Sequence, residues 1–189
     1  MLKVRYISRG FTIVELLIAI VVIAILAAIT IVAYNGIQQR AKNTQTISAI
    51  TAYAKAIKLY EADKGDLGGL NFNACLGETY GYGPDGTDTS GTGQCRQDTA
   101  TSGIKVNANF YTALAPYMSS KPQPDTSVTY VISSVNWFRG AYYYPASPHR
   151  IDFVLVGVVD CPATIGGLTL SSRSTTAFAT RCVMTFPGT

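Results

Sequence analysis

The feature that constrains this chain most is an apolar run beginning shortly after its start. From Leu16 to Ile29 no residue is polar, and Thr30 is the only polar residue from there to Ala33. As a helix, Phe11–Ala33 spans roughly 34 Å, enough for a hydrocarbon core of about 30 Å. One carboxylate, Glu15, stands at the mouth of the run. A charge at the end of such a span costs about 1–3 kcal/mol unless it finds a partner. A plain anchor has no use for it, so Glu15 points to a second task.

Lys3, Arg5 and Arg9 precede the run, with no acidic residue among them. By the positive-inside tendency this end stays in the cytoplasm and the rest of the chain is exported. A secretory signal peptide has an apolar core of about 7–15 residues followed by a small-x-small cleavage site. This run is longer, and no clear site of that kind follows it. An uncleaved anchor accounts for the run but not for Gly10, Phe11 and Glu15.

Those residues carry a resemblance. The segment Arg9-Gly10-Phe11-Thr12-Ile13-Val14-Glu15-Leu16 resembles the processing site of type IV pilins and of their relatives, the pseudopilins of type II secretion and DNA uptake. The resemblance implies cleavage after Gly10 by a prepilin peptidase and N-methylation of the new terminus at Phe11. It implies that Glu15, fifth in the processed chain, sets the register of assembly. Physically, the amine freed on Phe11 is a fitting partner for a carboxylate one turn away, on the same or a neighbouring subunit. Many type IV pilins have a glycine near the fourteenth processed residue and a proline near the twenty-second. Here those positions hold Ala24 and Val32, and the nearest helix breaker is Gly36. Ala19, Ala24, Ala27 and Ala28 would let neighbouring helices approach closely.

The formal charge is +4, and the leader takes three of those positive side chains with it, leaving a body near +1. A near-neutral body lacks the basic stripe of a nucleic-acid binder. The four cysteines, Cys75, Cys95, Cys161 and Cys182, are an even set on the exported side of a membrane and read as two disulfides. Three connectivities are open; Cys75–Cys95 with Cys161–Cys182 closes two short local loops. Zinc is disfavoured by the absence of CxxC and by a single histidine.

Downstream of Gly36, Ile47, Ile50, Ala54 and Ile57 recur at helical spacing, extended by Tyr53 and Tyr60, while Lys55, Lys58 and Glu61 lie off the stripe. Lys64-Gly65 is a basic last turn with a glycine stop. This predicts one helix of about 50 residues, half in lipid or filament core and half forming a wall of a globular head. Residues 65–103 read as a long loop, and Asp85–Gly91 lacks the spacing of a calcium loop. A short helix is expected in Phe110–Met118, limited by Pro116. Strands are expected at Val128–Val135, Ala141–Tyr144, Ile151–Val159 and Ala179–Phe186, with Trp137–Gly140 as a turn and Ile151–Val159 central in the sheet.

The expected fold is α+β: a long N-terminal helix packed on an antiparallel sheet of about four strands, with disulfide-stapled loops. Its parts are a leader at 1–10, an apolar helix at 11–33, an amphipathic half at 34–64, a loop region at 65–127 and a sheet at 128–189. In pilins a C-terminal cysteine pair often encloses an exposed loop; the resemblance implies that loop at Pro162–Arg181.

No catalytic constellation converges. His149 is the sole histidine and sits in a proline-flanked turn, no nucleotide-binding glycine loop is present, and no cofactor is implied. The resemblance implies a structural subunit of a type IV pilus filament, held in the cytoplasmic membrane before assembly and extracellular afterwards. Adhesion, twitching motility and DNA uptake are the uses it suggests. Its implied partners are other copies of the chain and other pilins, the peptidase, a membrane platform and separate assembly and retraction ATPases. A minor pilin, an adhesin or DNA-binding tip subunit, and a type II secretion pseudopilin are the alternatives.

Overall fold

Helix α1, Ile13–Lys64, runs from the apolar stretch through the amphipathic one. The computed structural model describes residues 11–80, 93–98, 103–133 and 136–188, with only the backbone of Val32. It divides into two units, Met1–Gln38 and Gln39–Thr189. In the first unit, α1 continues through Gly36 without a break. In the second, it ends where Gly65 turns left-handed at φ 85° and donates its N–H to the carbonyl of Glu61 at 2.8 Å. Only glycine takes that conformation cheaply, so Gly65 is a C-terminal cap.

Within the second unit α1 buries Ile50, Tyr53, Ala54, Ile57 and Tyr60 of the stripe that helical periodicity predicts, with Ala49 and Ala56 beside them, while Ile47 is only half-buried at the edge of the core. These side chains meet the inner face of a six-stranded antiparallel sheet. Its strands are β1 (Ala74–Cys75), β6 (Ala141–Tyr144), β7 (Arg150–Val156), β8 (Thr164–Ile165), β9 (Leu168–Thr175) and β10 (Ala179–Thr185). Their spatial order is β1-β6-β7-β10-β9-β8. Because side chains alternate across a strand, Tyr143, Ile151, Phe153, Cys182 and Met184 face α1. A second helix, α2 (Ala108–Leu114), adds Phe110 and Leu114 to the same core. Asn107 caps α2 by accepting the N–H groups of Asn109 and Phe110, and α2 ends two residues before Pro116.

A second antiparallel sheet holds β2 (Gln94–Gln97), β3 (Gly103–Lys105), β4 (Thr129–Ser133) and β5 (Asn136–Arg139), in the order β3-β2-β5-β4. It packs Ile104, Tyr130 and Phe138 against Tyr142, Val154 and Ala179 on the outer face of the first sheet. The α+β class stands, but the strands number six and four where a single sheet of about four was expected. Three segments account for the difference. Trp137–Arg139 is strand rather than turn, pairing with β2 and β4, and Gly140 alone redirects the chain into β6. The stretch Pro162–Arg181, expected as a loop, contains β8, β9 and the start of β10. β1 and β2 lie within the stretch read as a loop.

The β8–β9 turn shows why glycine is needed at Gly166. Its φ is 56°, and a Cβ there would lie 2.9 Å from the Cβ of Ala54 on α1. The close approach of turn and helix thus depends on two small residues.

Cys75–Cys95 joins β1 to β2, so it staples the two sheets together, while Cys161–Cys182 ties the β7–β8 connection to β10. Beside the first staple lies a buried charge. Asp152 is fully buried and accepts the hydroxyl of Tyr142 at 2.6 Å through Oδ2, which also takes Arg181. Arg150 Nε stands 3.2 Å from Oδ1. Burial, followed by the nearby Asp152 charge, pushes the Tyr142 phenol above its ordinary range, which keeps its proton for that bond.

Most tyrosines in the head are structural, since Tyr53, Tyr60, Tyr80, Tyr111, Tyr130, Tyr142 and Tyr143 are buried. Phe153 sits at the centre of the larger core. Phe153→Ala in the detergent-solubilised chain is expected to lower unfolding free energy by about 3–5 kcal/mol in chemical denaturation followed by tryptophan fluorescence.

Candidate functional site

The first unit presents a surface that water does not tolerate. Every side chain described from Phe11 to Gln38 is exposed. Leu16, Leu17, Ile18, Ile20, Val21, Val22, Ile23 and Leu26 together cover all sides of the helix, at about 100° per residue. A helix that is apolar all round belongs in lipid or inside an assembly. α1 is long and apolar enough to cross a membrane.

Its few polar groups are satisfied locally. The hydroxyl of Thr30 donates to the carbonyl of Ala27 at 2.9 Å, and Gln38 Nε2 donates to the Tyr34 hydroxyl at 3.1 Å. Tyr34, beyond the apolar run, has the amphipathic character favoured at a membrane–water boundary.

At the other end, Thr12 and Glu15 form a reciprocal cap. The Thr12 backbone N–H and hydroxyl donate to Glu15 Oε2 at 2.8 and 2.7 Å. The Glu15 N–H donates to the Thr12 hydroxyl oxygen at 3.2 Å. This is a capping box, in which the first free donors of the helix and the carboxylate satisfy one another. The helix dipole also favours a negative charge there. Glu15 therefore has a role within its own chain, and Thr12 is a partner that the reading of Gly10, Phe11 and Glu15 missed. The signal was legible: Thr12-Ile13-Val14-Glu15 has the T-x-x-E spacing before an apolar run.

Phe11 is described and 78% exposed. Gly10, the expected cleavage position, lies outside the described residues, as do Lys3, Arg5, Arg9 and the Asp85–Gly91 segment. The four cysteines are remote from this end in sequence and are joined in the head. His149 is not an open turn residue: its Nδ1 pairs with the hydroxyl of Tyr143, whose ring it stacks against. Burial, the larger influence, lowers its pKa against the opposing charge of Glu61. Among the described residues no group of three or more histidines, cysteines and carboxylates is placed to hold a metal.

An exposed apolar helix opened by a threonine–glutamate cap, with a disulfide-bonded α+β head later in the same chain, is consistent with a protein anchored by its N-terminal segment. Residues 6–31 match the family model described as the prokaryotic N-terminal methylation motif. The chain is also similar to prepilin peptidase-dependent protein D of Escherichia coli (strain K12), with 39% identity over 60 residues. That match covers 32% of this chain and 41% of the relative, so the chain spans about two-fifths of that protein. No solved structure gives a significant match. The motif and this likeness, both at the N-terminal end of the chain, support a kinship with type IV pilins and pseudopilins.

Replacing an N-cap threonine typically costs about 1 kcal/mol. Thr12→Ala is therefore expected to speed hydrogen exchange of the first-turn amides of α1 roughly fivefold in micelles, with the amides of Ile50–Ile57 unchanged.

Proposed function

We propose that the chain is a structural subunit of a type IV pilus filament, cut after Gly10 by a prepilin peptidase, methylated at Phe11 and polymerised through the first half of α1. The observation that carries this reading is the apolar surface of Phe11–Ala33, which is exposed on every side and ends in a carboxylate. Before assembly, lipid covers that surface; in the filament, the same segments of neighbouring copies do.

Exchanging lipid for protein gains no ordinary hydrophobic term, since lipid tails are as apolar as leucine. Assembly must then be driven by close packing and polar pairing. Ala19, Ala24, Ala27 and Ala28 lower the helix profile where a neighbour would approach. Glu15 supplies the polar term. Both bonds from Thr12 fall on Oε2, which leaves Oε1 to receive the amine that cleavage creates on the Phe11 of an adjacent copy. The cap holds the carboxylate in place, and the charge selects the register. Extension and retraction draw on a membrane platform and separate ATPases.

The test separates cap from charge. Gly10→Val is expected to leave the longer precursor, read by intact mass. Glu15→Ala is expected to give processed, membrane-held protein with few filaments by electron microscopy. Glu15→Gln keeps the cap, because glutamine also serves in a capping box, but removes the charge. It is expected to assemble as poorly as Glu15→Ala. Normal filaments from Glu15→Gln would reduce Glu15 to its capping role. An intact Met1 terminus on all extracellular protein would overturn the processing claim.

A further inference from the structure

The outer face of the six-stranded sheet is covered by the second sheet around Tyr142, Val154 and Ala179. Beyond that cover the face opens into a cavity of about 270 Å³. It is lined by Arg150 of β7, Arg181 and Val183 of β10, Ser171 and Ser172 of β9, and Pro148 of the β6–β7 turn.

Three observations describe what such a cavity would hold. The first is charge. Arg181 Nη2 pairs with Asp152 Oδ2, and Arg150 Nε stands 3.2 Å from Oδ1. Two guanidinium groups therefore share one carboxylate, and one positive charge is left over. The Asp152 side chain is fully buried, whereas those of Arg150 and Arg181 are 32% and 23% exposed. The cations thus face solvent with the anion beneath them. Each guanidinium carries five N–H donors, more than a single carboxylate accepts.

The second observation is rigidity. The guanidinium of Arg150 lies 4.3 Å from the ring centre of Tyr144, and that of Arg181 lies 5.4 Å from the ring centre of Phe138. Pairing below and an aromatic ring beside each one hold the forks in place, so an incoming anion orders little.

The third observation is the wall. The pairing of β10 with β9 slips between Val183 and Met184, so Ser172 faces Val183, Leu170 faces Met184, and Ser171 is the extra residue. A bulge re-aims side chains, and here two consecutive serines line the same cavity. Val183, the register partner of Ser172, and Pro148 add apolar atoms to the same lining.

We infer that this cavity binds the carboxylate of an acidic sugar, a uronic acid being the simplest class. The arginines would take the carboxylate, the serine hydroxyls would meet the ring hydroxyls, and Val183 with Pro148 would pack on a C–H face of the ring. A bare phosphate would use the charges and leave the apolar wall idle. The site lies wholly in the head and stands whether or not the chain polymerises.

The test titrates the full-length, micelle-held protein with galacturonate and galactose, followed by saturation-transfer NMR at fixed ionic strength. Galacturonate is expected to bind at least tenfold tighter than galactose. Ser172→Glu, at an exposed position that leaves the pairs of Asp152 in place, is expected to weaken galacturonate at least tenfold with an unchanged thermal melt. Arg150→Gln is expected to weaken galacturonate at least tenfold as well and serves as the second variant. Equal binding of galactose, inorganic phosphate competing as tightly as galacturonate, or wild-type affinity in both variants would each overturn the inference.

Discussion

One helix has to satisfy two solvents, and the rest of the structure follows from that. The first half of α1 has exposed apolar side chains on every side. The second half reserves its apolar positions for one stripe and gives that stripe a sheet to rest on. The two halves share a continuous hydrogen-bonded backbone, so the change of medium is written only in side chains. Such a helix is stable in both places for different reasons. In lipid the backbone has no competing water, which favours internal hydrogen bonds. In the head, tertiary packing holds it, as for most helices in globular proteins.

The head is built around that outer half in layers, and its two sheets are joined by unlike means. Phe138, Tyr130 and Ile104 give apolar contact against Tyr142 and Val154. Cys75–Cys95 adds a covalent link from β1 to β2, which restricts the unfolded chain. Within the six-stranded sheet, the Asp152 cluster adds directional bonds between β6, β7 and β10. A lone buried carboxylate would be costly, and this one is tolerated because Tyr142, Arg181 and Arg150 reach it together. The same arrangement leaves the arginines partly exposed, so an element that orders the interior also gives the surface its chemistry.

Much of this was legible in the sequence. Periodicity located the buried stripe of α1, and Lys64-Gly65 marked its end. The alternation in Ala141–Tyr144 puts Tyr143 and Tyr142 on opposite faces, and each of those faces meets a core. The strands that escaped notice lacked the signal on which strand reading depends. After Leu168, every residue of β9 is exposed, so its Ser/Thr run carries no apolar alternation and reads as loop. β1 has two residues and β2 four, too few for a pattern to emerge. Trp137–Arg139 was misread because a bulky aromatic pair before glycine also suits a turn. At the helix start the omission was of another kind: Glu15 was weighed as a charge in lipid, while its spacing from Thr12 carried a local hydrogen-bond meaning. The Arg150–Arg181 cavity was out of reach, since its walls come from three strands and a register slip that no linear pattern announces.

The position of β10 in its sheet has a consequence in time. β10 follows β7, β8 and β9 in the chain yet lies between β7 and β9, and it carries Cys182. A ribosome releases the N-terminus first, so α1 is made, and able to engage a membrane, while the central slot of the larger sheet is still empty. Until Ala179–Thr185 arrives, β9 and β8 lack the strand that joins them to the rest of the sheet, Cys161 lacks the Cys182 it bonds, and the places of Cys182 and Met184 in the core over α1 are unfilled. The larger sheet therefore closes only once β10 has been made. An interrupted chain would hold its anchor without a finished body, leaving a clear mark by which incomplete subunits differ from complete ones.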